Sequence, residues 1–306
     1  MSLEERKHLP LNGPGNYRVE NHIIYTRALE VNAVRHCNLS CRSCSHSSPL
    51  ANKQVYHVDE VKNDLEKLSK FLKCETIRVV GGEPLLHPEF NKLIKEIKES
   101  NISENICLVT NGILLHTLNE EELDSINKIE ISLYPLHENL VNKIKEEAWK
   151  ISQKGVKVRI LEYTTFREAI SQEKSEDIEL VENIYNTCQV AHFLRCITVD
   201  HGRLYRCPQS MIFAEKYHKY KDSCEIDALE NRNQLLHFLE NNHPLEACYY
   251  CLGSIGKAFL HEQLERKNWI EKLPQKPEDA VDKEHLNDLL KDARKSNKCM
   301  ERKRIN

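Results

Sequence analysis

The sequence predicts an α/β protein: a partial (β/α)6 barrel followed by a small cysteine-bearing domain. Three observations carry that prediction. Short apolar runs alternate with amphipathic helical patterns between about residues 23 and 165, the signature of βαβ units and a parallel sheet. Polar or glycine-containing stretches close those runs, at the strand ends where ligands of such sheets bind. The 12 cysteines are unevenly spread, with three inside eight residues and two more in a C-x-x-C pair.

The elements follow in order. Residues 28–35 (ALEVNAVR) read as the first strand. Residues 58–73 place Val58, Val61, Leu65, Leu68 and Leu72 at helical spacing, one buried stripe. The β-rich run 76–80 (TIRVV) ends at Gly81-Gly82. Pro88 opens the next helix, with Phe90, Leu93, Ile94 and Ile97 on one face; proline suits the first turn because its missing N–H is not needed there. Residues 105–110 form a strand closed by Asn111-Gly112, and 128–134 form another. A helix near 137–153 turns Leu140, Ile144, Ala148 and Ile151 inward, Gly155 ends it, and 156–163 is the next strand.

After about residue 170 the character changes. Residues 170–187 are polar and helix-like, 188–210 hold three cysteines and a His201-Gly202 turn, and 248–256 hold the C-x-x-C pair. The expected division is an N-terminal extension at 1–27, the barrel at 28–185, a metal-binding domain at 186–265 and a helical tail at 266–306. The basic end of that tail, from Arg294 to Arg304, reads as a solvated helix face.

Composition narrows the function classes. Lys and Arg number 44 against 47 Asp and Glu, a net charge of −3. No basic excess argues for nucleic acid or an anionic membrane surface. The opening MSLEERKHLPLNGPGNY lacks the apolar core of a signal peptide. No apolar run approaches the ~20 residues that span a bilayer. A cytoplasmic protein is expected, with no nucleic-acid or membrane partner. Cytosolic thiols are kept reduced, so clustered cysteines there point to metal binding or catalysis.

Cys37, Cys41 and Cys44 form a C-x3-C-x2-C cluster directly after the first strand. Three thiolates so close can face one point if the loop curls. Zinc wants a fourth ligand in a tetrahedron, and a 4Fe–4S cluster normally takes four cysteines. Three leave one iron open, unless His46 supplies the fourth bond; such a histidine more often meets solvent or a neighbour.

This spacing resembles the signature of the radical S-adenosylmethionine (SAM) superfamily. The resemblance implies a partial TIM barrel, a 4Fe–4S cluster on Cys37, Cys41 and Cys44, and SAM chelating the open iron. Reductive cleavage then gives a 5′-deoxyadenosyl radical that takes a substrate hydrogen, with the electron from an external reductant such as flavodoxin or ferredoxin. Gly81, Gly82, Glu83 and Pro84 match the family's stretch for the SAM amino group. Thr110-Asn111-Gly112 and Ser132 match polar strand ends that contact its ribose or carboxylate. One residue departs: the position before the third cysteine is commonly aromatic, and here it is Ser43.

Cys188, Gly202 and Cys207 are spaced C-x13-G-x4-C, with Cys248 and Cys251 following. The pattern resembles the Twitch domain, the shortened form of SPASM, and implies a second 4Fe–4S cluster on Cys188, Cys207, Cys248 and Cys251. A structural zinc site from the same four thiols is the plain alternative. A third cluster lacks ligands, since only Cys299 lies downstream. Cys196 stays open between a buried thiol, a replacement ligand and a hydrogen donor; Cys224 is a second formal donor. Cys74 and Cys107 read as core.

In size and cysteine layout the chain resembles 2-deoxy-scyllo-inosamine dehydrogenase-type enzymes. The implied activity is that of an oxidoreductase on a small polar molecule, such as a sugar, aminocyclitol or nucleotide sugar. The second cluster would accept an electron, and epimerisation is the redox-neutral variant. The alternatives are a peptide maturase and a non-enzymatic metal module. Only 36 residues precede Cys37, too few for the ~80-residue peptide-recognition domain such maturases often carry fused ahead of the core.

Overall fold

The computed structural model describes residues 17–291. The basic end from Arg294 to Arg304 and Cys299 lie outside the described residues. The chain opens with a hairpin: β1 (Arg18–Glu20) pairs antiparallel with β2 (Ile23–Val34). Asn21 and His22 both take positive φ, 47° and 68°, the conformation of a tight two-residue turn.

α1 (Val58–Leu68), β3 (Leu72–Gly81), α2 (Phe90–Glu99), β4 (Ile106–Thr110), α3 (Glu120–Leu123), β5 (Lys128–Leu133), α4 (Glu138–Gln153) and β6 (Lys157–Glu162) continue the alternation. β2 through β6 pair in parallel and in chain order. A sixth parallel strand, β8 (Ile197–Asp200), joins the other edge of β2, after the short β7 (Thr165–Arg167) and α5 (Ile178–Thr187). The result is an open, partial barrel of six parallel strands, as the sequence predicts.

β9 (Arg203–Tyr205) and β10 (Ser223–Glu225) extend that edge antiparallel. α6 (Pro208–Tyr217) lies between them, and α7 (Arg232–Glu240) follows. The main core takes Leu29 and Val31 of β2 together with Val199, Leu204 and Leu235. Sheet and core therefore run straight across residue 185. A second cluster, Ile184, Leu252, Ile255, Val281 and Leu286, fastens the rest. It is joined by β11 (Ala258–Leu260), which pairs with β7, and by α8 (Arg266–Glu271) and α9 (Pro277–Ala280).

The predicted helix faces are buried: Val58, Val61, Leu65 and Leu68 in α1, and Phe90, Leu93, Ile94 and Ile97 in α2. Each such side chain gains roughly 1.5–3 kcal/mol from burial. Leu72 is a correction. Its spacing continues the α1 stripe, yet the helix stops at Leu68 and Leu72 starts β3, opposite Ile24. β2 begins five residues before the predicted strand at 28, and its ladder with β3 starts at that pair. Sheet pairing overrides the helical period there.

Candidate active site at the carboxyl ends of the strands

The loop after β2 carries Cys37, Cys41 and Cys44. It is held from above and below. Gly82 N–H donates to Val34 O at 2.9 Å, and Glu83 N–H to His36 O at 3.0 Å. A Cβ on Gly82 would lie 1.9 Å from His36 O, so only glycine allows this approach. From the other side residues 262–264 run antiparallel to the loop: Arg42 N–H donates to Glu262 O and Leu264 N–H to Ser40 O, both at 2.9 Å. Buried Trp269 donates from Nε1 to Cys41 O at 2.8 Å.

All seven predicted cysteine ligands line one cavity of about 840 Å3. All are free thiols. Burial pushes the Cys37 thiol up to about 12, with Glu83 and Cys44 adding to it. Burial also raises Cys41, helped by Cys44 and Cys37. Cys188 is raised by burial to about 11, with Cys207 contributing. Cys248 and Cys251 are raised by burial, and both feel Cys188 and Cys207. Each set thus stands within mutual electrostatic reach. Buried thiols that resist ionisation need a metal to hold them as thiolates.

The donor chemistry fits iron–sulfur ligation, three soft ligands in one set and four in the other. Among the described residues no three His, Cys, Asp or Glu side chains close on one point as the ligands of a single ion would; the thiols stand around shared space. His46 also lines the cavity, with Nε2 buried and unpartnered. Burial and then Arg35 and Arg78 bring its pKa down to about 4.

The strand-end residues divide. Gly81, Gly82, Asn111 and Ser132 line the cavity; Glu83 and Pro84 do not. Fully buried Glu83 accepts hydrogen bonds from Thr110 Oγ1 (2.7 Å), Asn111 N–H (2.8 Å) and Leu85 N–H (3.2 Å). Its side chain ties the ends of β3 and β4 together. Asn111 Nδ2 in turn donates to Asn38 Oδ1 at 2.7 Å and approaches Cys37 Sγ at 3.7 Å. Cys196 lines the cavity, buried and near Glu30, whereas Cys224 on β10 does not line it. That removes Cys224 as a hydrogen donor to anything bound there. Cys74 and Cys107 are core, 6% and 2% exposed.

Sequence reasoning missed three groups. Glu30 lines the cavity and faces Arg78, which also donates to Glu130 at 3.1 Å. Burial raises the Glu30 pKa and Arg78 opposes it. Ser43, at the position expected to be aromatic, is buried and donates to Glu168 Oε2 at 2.6 Å. Aromatic surface comes instead from Tyr134, Tyr163 and Phe166, all on the cavity wall. Tyr134 stacks on His261 at 5.0 Å, and its phenol feels Cys41 and Cys44. Period-2 alternation was the available signal: Tyr134 shares a face with Ser132, and Glu30 with Asn32.

An open parallel sheet thus gathers thiols and the Gly81-Gly82 turn around one cavity. Residues 31–158 match the Radical SAM superfamily, and this stretch is a radical SAM domain. The match implies SAM and a 4Fe–4S cluster at this stretch. Similar curated proteins include a probable GTP 3′,8-cyclase of Methanocaldococcus jannaschii, 34% identical over 119 residues. That match covers 39% of this chain and 40% of the relative. A GTP 3′,8-cyclase of Clostridium botulinum is 26% identical over 249 residues, covering 74% of this chain and 75% of the relative. These names are not those of dehydrogenases. Among solved structures, BtrN in complex with AdoMet and 2-DOIA is 17% identical with a TM-score of 0.45, over 71% of this chain and 87% of that one. Among the described residues no helix is long and apolar enough to cross a membrane.

Proposed function

We propose that this enzyme abstracts a hydrogen atom from a small polar molecule held between two thiol sets, each holding a 4Fe–4S cluster. The observation that carries the reading is the convergence of Cys37, Cys41 and Cys44 with Cys188, Cys207, Cys248 and Cys251 on one cavity. At about 840 Å3 it has the size of a small-molecule site. Bound at Cys37, Cys41 and Cys44, the cluster and SAM supply the 5′-deoxyadenosyl radical. The chain's own residues position and enclose. Gly81 and Gly82 bring backbone close to the thiol loop. Asn111 and Ser132 offer polar contacts at the strand ends, and Tyr134 and Phe166 give an apolar wall. Glu30 and Arg78 offer hydrogen bonds to a substrate's polar groups.

Two reaction types are consistent with four cysteines in the second set. Oxidation or epimerisation of a sugar, aminocyclitol or nucleotide sugar is the first. Cyclisation of a purine nucleotide is the second, favoured by the relatives' names. The test of the shared chemistry is 5′-deoxyadenosine release from SAM by anaerobically reconstituted protein with dithionite. The Cys37→Ala, Cys41→Ala, Cys44→Ala triple variant is expected to release none; release by that variant refutes the assignment. Product formed per 5′-deoxyadenosine, with each candidate substrate, separates the two reaction types.

A further inference from the structure

The second thiol set has an outer side as well as its cavity side. Cys207 stands at the N-cap of α6, and Cys248 and Cys251 flank Tyr249-Tyr250. Beside them three rings close on one another. Phe213 lies 4.7 Å from Tyr217 and 5.2 Å from Tyr250, and the two tyrosines are 5.3 Å apart. Phe213 is buried, whereas Tyr217 and Tyr250 are half-buried. These rings, Lys216, Ala247 and Cys251 line a small outer pocket of about 30 Å3. Cys251 and Ala247 also line the main cavity. Cys251 therefore spans the wall between the two. The outer pocket has room for a water or two and none for a substrate; it marks how thin the wall is there.

The surface over that wall is basic and aromatic. Residues 215–221 read Glu-Lys-Tyr-His-Lys-Tyr-Lys. Lys216, His218, Lys219, Tyr220 and Lys221 are exposed. Lys216 Nζ lies 4.9 Å from the centre of the Tyr217 ring. The segment's one carboxylate, Glu215, is tied back to Arg35 at 2.5 Å, and Lys221 pairs with Glu246. Among the described residues neither Lys216 nor Lys219 meets a carboxylate. A lysine at the end of a helix is ordinary, because it complements the helix dipole. Three lysines within six residues, interleaved with tyrosines, exceed that need. On a chain of net charge −3 they form a local positive patch.

We propose that this face docks an acidic one-electron carrier protein, which exchanges electrons with the cluster on Cys188, Cys207, Cys248 and Cys251. The inference rests on reading the second thiol set as a 4Fe–4S site, and it adds the route by which that site communicates with the outside. One electron passes out of the cluster and onto the carrier. The cluster is oxidised by one electron, the carrier is reduced by one, and no bond forms or breaks. Charge complementarity chooses the partner: a protein with carboxylates around its redox group presents the matching face. Opposite patches steer encounter and set orientation more than they set tightness. Redox encounters also use small interfaces, which suits a short segment around half-buried rings.

The probe is a flavodoxin of strongly negative net charge, with the basic protein cytochrome c as the charge control. Equilibrium binding to the iron-loaded protein is measured at about 0.01 M and about 1 M salt, where the Debye length is about 30 Å and about 3 Å. At low salt flavodoxin is expected to bind about ten-fold tighter than cytochrome c, and at high salt the advantage should vanish. Lys216→Glu combined with Lys219→Glu is expected to weaken flavodoxin binding about ten-fold, with melting and dithionite-driven 5′-deoxyadenosine release unchanged. Should the pair disturb melting, Lys216→Gln with Lys219→Gln reads the same comparison, deleting the charges without reversing them. Electron exchange is read in the Cys37→Ala, Cys41→Ala, Cys44→Ala background, which removes the first thiol set. Once that protein is reduced and freed of dithionite, the lysine substitutions should slow its re-oxidation by flavodoxin about ten-fold. Its re-oxidation by benzoquinone, small and uncharged, should not change. The proposal is overturned if flavodoxin does not bind, if binding is indifferent to salt or survives the substitutions, or if benzoquinone is slowed as much as flavodoxin. Any of these with wild-type 5′-deoxyadenosine release and iron uptake intact sinks this inference alone. No release, or no iron on the second thiol set, sinks the functional reading.

Discussion

Thr110 Oγ1 donates a 2.7 Å hydrogen bond to the fully buried Glu83 carboxylate, joining the ends of β4 and β3 beneath the cysteine loop. The same carboxylate accepts from Asn111 N–H and Leu85 N–H. Glu83→Ala leaves three donors without an acceptor, and a loss of about 3 kcal/mol is expected in denaturant unfolding. The pH profile has a definite sign. Burial raises the Glu83 pKa above the ordinary carboxyl value, although its hydrogen bonds oppose this. As pH rises, the unfolded chain's carboxyl ionises first, so the unfolded state binds fewer protons than the native one. The Glu83 contribution therefore falls through that window. Wild-type stability measured against Glu83→Gln should decline from about pH 4 upward; a rise in that range contradicts the burial argument.

Gly82 carries the second prediction. An alanine Cβ there would meet His36 O at 1.9 Å and Cys37 N at 2.8 Å. Both are backbone atoms, so no side chain can swing aside. Gly82→Ala is expected to cost about 3 kcal/mol or more and to displace the loop of Cys37. Thermal melting and iron uptake by the apo-protein should both fall. A variant with normal melting and normal uptake shows that the loop tolerates the shift.

How far the sequence reaches is visible in residues such as these. The parallel strands and the helix stripes of α1 and α2 were legible, because each follows from local period. The placement of β8 on the free edge of β2 was not, since no local pattern states which edge a late strand joins. The contact of residues 262–264 with residues 40–42 is likewise non-local, and nothing around Gln263 advertises it. Leu72 failed for a related reason, because its helical spacing was real but lost to sheet pairing.

Trp269 supplies the third prediction. Its indole is 1% exposed and hydrogen-bonds Cys41 O from a helix 228 residues later in the chain. Trp269→Phe keeps most of the apolar packing and removes the donor, leaving a buried carbonyl in need of one. A loss of about 1–3 kcal/mol is expected. The carbonyl belongs to a cysteine of the first thiol set, so iron retention should fall under mild chelation as well. Equal stability combined with equal iron retention would detach α8 from the positioning of that loop.

The two cysteines on either side of β8 and β9 separate ligand from bystander. Cys207 and Cys196 are about equally buried and both line the cavity. They differ in company. Cys207 contributes to the raised pKa of Cys188, Cys248 and Cys251 alike. Cys196 is governed, after burial, by Glu30 and Arg78, with Cys207 the smallest contributor. A carboxyl and a guanidinium are poor neighbours for a fourth ligand when three other thiols already stand near Cys207. Cys207→Ala is therefore expected to lose about four irons per chain, one cluster's worth, whereas Cys196→Ala keeps them. Iron and sulfide analysis after anaerobic reconstitution decides the matter. If Cys196→Ala sheds the iron and Cys207→Ala does not, the second set is built on Cys196, and Cys207 becomes the buried bystander.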